Sequence, residues 1–125
     1  MSVLIFFTLV YVSDGSIQLK GGLHPSEGRI EIYHNGIWGT ICDWYFNLID
    51  GQAICRQLGY SQVLTIYGSA HYNEGYGPVW LSDINCPNSA MSFKECQHSG
   101  WGRSSCSHRQ DASVVCLGNF MLLYR

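Results

Sequence analysis

Six cysteines constrain this chain more than any other feature: Cys42, Cys55, Cys86, Cys96, Cys106 and Cys116. All lie in the last two thirds, and the final four follow one another at intervals of ten residues. An even count in a chain of 125 residues marks an oxidised, secreted framework, because so small a core needs covalent staples against chain entropy. The competing use, a zinc centre, wants close pairs such as C-x-x-C, and the sequence has none. Three disulfides are therefore expected, although the cysteines alone leave about fifteen pairings open.

The rest of the composition suits a single domain with one modest core. The chain is 46% hydrophobic and 13% charged, too apolar to remain disordered. A net charge of −2 provides no general field to draw nucleic acid or membrane. Anion binding would have to come from a local patch among seven lysines and arginines. Residues 1–12, MSVLIFFTLVYV, form an apolar run with small residues at Ser13 and Gly15, and we read residues 1–15 as a candidate secretion signal. The run lacks a basic start and is too short to span a bilayer, so a buried strand or a gene-model remnant is the competing reading. The tail LGNFMLLYR (residues 118–125 and the preceding Leu117) is apolar and too short for an anchor, as at the end of a fragment. No N-x-[ST] sequon occurs.

Local patterns outline short strands around one helix. Residues 16–22, SIQLKGG, alternate Ile17 and Leu19 with polar neighbours and end in a turn. In GRIEIYHNGIWGTIC, Ile30 and Ile32 precede Asn35-Gly36, a pair suited to a type I′ hairpin turn, and Ile37, Gly39 and Ile41 follow as the inward face of the second strand. A helix is predicted over about 48–58, capped by Asn47, with Asp50 in its first turn and Gly59 as its stop. Gly51, Ile54, Cys55 and Leu58 share one face, which points Cys55 at the core. Beyond it, a short strand and loops are expected over 60–77, a strand in GPVWLSDINC, one helical turn in SFKEC and a closing strand in ASVVC. Trp38 and Trp80 read as packed aromatics rather than ligand platforms. The fold class is α+β.

The words between the cysteines resemble the scavenger receptor cysteine-rich (SRCR) domain: GRIEIYHNGIWGTICD, AICRQLGY, GPVWLSDINC, WG and CSHRQDASVVC, over residues 16–117. The resemblance implies a curved, antiparallel-rich sheet cradling one helix, and the six-cysteine group A type, since the extra pair of group B maps to Pro25 or Ser26 and to Tyr60. It also implies the pairs Cys42–Cys106, Cys55–Cys116 and Cys86–Cys96. In the domains that the chain resembles, calcium sits on an Asp-Asp pair after the first cysteine and a Glu near the end. Here those positions hold Asp43, Trp44 and Gln110, a degraded site with one carboxylate left, and a hard cation wants several charged oxygens. No cofactor is expected, with calcium held on Asp43 and Gln110 as the alternative.

The same losses shift the patch towards positive charge. Arg103, Arg109 and His108 would form a small anion-binding cluster with Trp44 as a stacking face. The plainer alternative pairs Arg109 with Asp43 or Asp111 in a solvated bridge of little energy. No nucleophile elbow, zinc-protease or phosphate-loop motif occurs, and the Ser, His and Asp residues around His108 are only crowded in sequence, whereas a catalytic triad is a spatial arrangement, so no enzyme is expected. By resemblance the chain is an extracellular recognition module, secreted or part of an ectodomain, for polyanionic or microbial surface ligands. The alternative is a protein–protein interaction or spacer module of a larger receptor or secreted protein. Nucleic acid is not an expected partner, and membrane association would come through a parent protein.

Overall fold

The computed structural model describes residues 12–118. Most of the candidate secretion signal and of the apolar tail lie outside the described residues. The elements are β1 (Ile17–Gly21), β2 (Glu27–His34), β3 (Ile37–Ile41), α1 (Leu48–Gln57), β4 (Gln62–Tyr67), β5 (Val79–Leu81) and β6 (Ser113–Leu117), with single 3₁₀ turns at Phe93–Glu95 and His108–Gln110. The sheet runs β4-β6-β2-β3-β5, with β1 laid along β2. All pairings are antiparallel except β3 with β5, so the sheet is mixed.

Asn35 and Gly36 turn the β2–β3 hairpin at φ 52° and 79°, the left-handed pair that a two-residue I′ turn needs. One edge of β2 is taken by β1; the other is shared, its first half by β6 and its second by β3. Ala112 sits in the fork between them. It accepts from the Ile30 N–H at 3.0 Å and donates to the Ile41 carbonyl at 2.8 Å. Cys42 and Asp111 bridge just beyond, so the ends of β3 and of the 108–112 segment are held side by side.

Ile30, Ile32, Ile41, Leu81 and Val114 are fully buried on the face that meets α1, through Ile54 and Cys55. Gly51 lets the helix lie close: a Cβ there would stand 2.7 Å from Ile66 Cγ2. Asn47 caps the helix, accepting from the Ile49 and Asp50 N–H groups, and Asp50 returns a bond to the Asn47 N–H. The three disulfides are Cys42–Cys106, Cys55–Cys116 and Cys86–Cys96.

One expectation needs correction. Ile37 is 49% exposed, because it lies at the hairpin tip beyond the reach of the core, while Thr40 on the opposite face is fully buried. The Gly15 N–H donates to the Tyr33 carbonyl and Asp14 pairs with His34 at 3.0 Å, so the contacts of the fold extend upstream of β1.

A second, polar layer covers the far face of β2. Arg29 pairs with Glu31 at 2.8 Å and donates to the Tyr72 and Asn73 carbonyls, pinning residues 68–78 over the sheet. No periodicity in the sequence announces this layer.

Candidate ligand-binding surface

Asp43, Trp44, His108, Arg109 and Gln110 lie where β3 ends and β6 begins, but with divided tasks. Asp43 follows Cys42, and its N–H donates to the Gln110 carbonyl at 2.7 Å. Its carboxylate accepts from the Ser69 N–H at 2.7 Å, with Gly68 packed so close that a Cβ there would lie 2.5 Å from Oδ2. Asp43 therefore anchors the 68–78 loop. Gln110 is spent as well: its side-chain oxygen accepts from the Ser107 N–H in a capping box around the 3₁₀ turn. Among the described residues no three His, Cys, Asp or Glu side chains converge to hold a metal ion. The donor set of Asp43 and Gln110 does not fit a hard cation, since one carboxylate and one amide oxygen, each already accepting a hydrogen bond, leave too little negative charge.

His108 turns inward, as a histidine that ties its loop down by hydrogen bonds rather than as a member of a surface cluster. Its Nε2 lies 2.7 Å from the Gly77 carbonyl, which can only accept, so Nε2 carries a hydrogen. Nδ1 faces the Asp111 carboxylate at 3.0 Å and the Thr40 hydroxyl at 3.3 Å. Asp111 is completely buried and also accepts from the Gly75 N–H at 2.7 Å. His108 and Asp111 are thus a loop clamp, with nothing left for a ligand. The fork at Ala112, which only the tertiary fold creates, makes this arrangement.

Arg103 and Arg109 remain at the surface. Both are exposed, and neither guanidinium makes an ion pair or hydrogen bond among the described residues. The bridge from Arg109 to Asp43 or Asp111 is not formed. The Cys42–Cys106 bond and the Asp43–Gln110 hydrogen bond tie this segment to Cys42 and Asp43, next in the chain to Trp44, which is 43% exposed. Arg103 folds over Gly100, where a Cβ would stand 2.8 Å from its Cδ. Trp80 and Trp101 pack edge to face at 6.1 Å, and Trp101 stacks on His34 at 3.8 Å, so both serve packing. Sequence reasoning singled out Trp44 but missed Tyr45, Leu48 and Ile49, which extend this exposed stretch and of which Tyr45 is 81% exposed. Its only sequence signal is that Leu48 and Ile49 fall off the helix's apolar face.

A curled mixed sheet, one helix and three disulfides define a small, covalently stapled α+β domain. The chain belongs to the scavenger receptor cysteine-rich domain family, whose model matches residues 20–117. It is 45% identical over 101 residues to the mouse (Mus musculus) macrophage scavenger receptor types I and II, covering 81% of this chain and 22% of that protein. It is 41% identical over 105 residues to galectin-3-binding protein of Bos taurus, covering 84% and 19%. The chain therefore spans about a fifth of the length of these relatives. Among solved structures, the third SRCR domain of murine neurotrypsin superposes with a TM-score of 0.75 at 36% identity, covering 81% of this chain and 94% of that one. The SRCR domain of mouse MARCO, in a dimeric form, superposes with a TM-score of 0.67 at 40% identity, covering 72% and 85%. The six cysteines and three bonds fit the group A type.

Proposed function

We propose that this domain is an extracellular, non-catalytic recognition module that holds polyanionic ligands through Arg103 and Arg109, without calcium. One observation carries the reading: both arginines are exposed and unpaired among the described residues, while Asp43 Oδ2 and Gln110 Oε1 each already accept from a backbone N–H. An unpaired guanidinium offers its fork of N–H donors to sulfate, phosphate or carboxylate. Two such contacts give weak binding, so strength would come from several domains acting together. The similarity to a macrophage scavenger receptor and to a domain crystallised as a dimer is consistent with use in arrays.

The experiment is binding of the oxidised chain to immobilised dextran sulfate, in calcium and then in EDTA, beside an Arg103→Ala/Arg109→Ala variant. Binding that survives EDTA, weakens with salt and drops in the variant supports the reading. Loss in EDTA would mean that a cation does bind. A second reading, docking of a protein partner, is favoured by the apolar stretch Trp44, Tyr45, Leu48 and Ile49. Absence of polyanion binding in both buffers, even for a multimerised domain, would favour it.

A further inference from the structure

Residues 43–46 form a turn closed by the Phe46 N–H donating to the Asp43 carbonyl at 3.1 Å. Tyr45 occupies its third position at φ 60°, a left-handed conformation that turns ordinarily give to glycine or asparagine. A bulky side chain there carries a steric cost, and the core does not repay it, since the ring is 81% exposed. Such unrepaid local conflicts gather at binding sites.

A second left-handed residue, Asp83 at φ 57°, faces the same space. Tyr45, Phe46, Asn47, Asp83, Ile84 and Asn85 line a groove of about 440 Å³. Tyr45 also borders a neighbouring hollow of about 330 Å³ with Trp44. Both lie within the range of small-ligand sites.

The polar lining is mostly neutral. The Asn85 side chain makes no hydrogen bond among the described residues, and Asn47 uses its oxygen in the helix cap but not its NH₂. Asp83 receives the Ser82 hydroxyl on Oδ2 at 3.3 Å, leaving Oδ1 to accept. Among the described residues no lysine or arginine lines the groove, so a polyanion would meet there only the Asp83 carboxylate.

We propose that this groove binds an uncharged pyranose saccharide. The C–H face of the sugar ring packs on the Tyr45 ring, and adjacent hydroxyls, each both donor and acceptor, pair with the Asn47 and Asn85 amides and the Asp83 carboxylate. The site is separate in chemistry from the arginines and stands or falls independently of them.

The test titrates the oxidised chain in EDTA with mannan, laminarin and dextran, following aromatic fluorescence at low and high salt. The expected result is saturable, salt-insensitive binding to at least one of the three. Tyr45→Asn suits the left-handed turn while removing the ring, and should weaken that binding by about tenfold or more. Asn85→Ala should weaken it by a few-fold, and Arg103→Ala/Arg109→Ala should leave it unchanged. No saturable binding to any of the three would overturn the proposal, as would equal binding by a natively folded Tyr45→Asn variant. Binding that fades with salt, or a preference for polylysine over all three saccharides, would overturn it in favour of a charged ligand.

Discussion

His98 is half-buried between Phe93, at a ring separation of 5.6 Å, and Trp101, at 5.5 Å. Burial and, secondarily, the charge of nearby His34 hold its pKa below the ordinary histidine value. The Gly100 N–H donates to its Nδ1 at 3.0 Å, a bond only the unprotonated nitrogen can accept. Because the folded form resists protonation, stability from this group is fully present above the unfolded pKa and is lost as pH falls through it towards the folded value. His34→Gln removes the secondary cause and leaves the primary one. The His98 pKa followed by NMR should therefore rise in that variant, yet stay below that of a free histidine. A value that does not move would mean that His34 carries no charge felt at His98. At this scale, residue type was a poor guide to role. Asp43, Gln110 and His108 carry the right atoms for ligands, but those atoms are turned to Ser69, Ser107, Gly77 and Asp111. A side chain's free valence depends on what the fold has already bonded to it.

Helix α1 shows what an element adds. Its capping pair, Asn47 and Asp50, is legible in the sequence because both positions follow from the helix start. That Asp50 is fully buried and also accepts from the Cys86 N–H at 2.9 Å is not, since Cys86 arrives from 36 residues away. Burial raises the Asp50 pKa, against the opposing N–H groups of Asn47 and Cys86. A carboxyl whose folded pKa is raised binds its proton more tightly when folded. Its contribution therefore falls as pH rises from the unfolded value through the folded one, and is constant above. Asp50→Asn removes this titration but retains only one oxygen for two N–H donors. The variant should be less stable than the parent by about 1–3 kcal/mol. The gap should be widest at acid pH and narrow as pH rises through the raised pKa. Denaturant melts of both proteins across that range test this, and a gap that widens instead would show that the carboxylate form is the favoured one.

For the whole molecule the staples matter most. Cys42–Cys106 and Cys55–Cys116 span separations of 64 and 61 residues, and Cys86–Cys96 spans 10. Loop entropy assigns each long bridge roughly 4 kcal/mol and the short one about 3, against a total stability of about 5–15 kcal/mol for domains in general. Cys55→Ala/Cys116→Ala, which frees α1 from β6, should thus cost more in chemical unfolding than Cys86→Ala/Cys96→Ala. The reverse order would mean that native packing around Cys86 and Cys96, rather than chain entropy, sets their contribution.

The sequence by itself determined the class of fold, the hairpin at Asn35-Gly36, the capped helix and the core positions Ile30, Ile32, Ile41 and Cys55. These follow from periodicity, turn chemistry and apolar burial, which act over a few residues and leave a pattern in the chain. The polar layer of Arg29 and Glu31, the clamp of His108 on Asp111 and the outward turn of Tyr45 were decided by tertiary structure alone. Each joins groups far apart in sequence, or spends conformational strain at one position. A hydrogen bond between distant residues leaves no periodic mark, so only the folded arrangement of β2, β3, β6 and the 68–78 loop reveals which polar atoms stay free to meet a ligand.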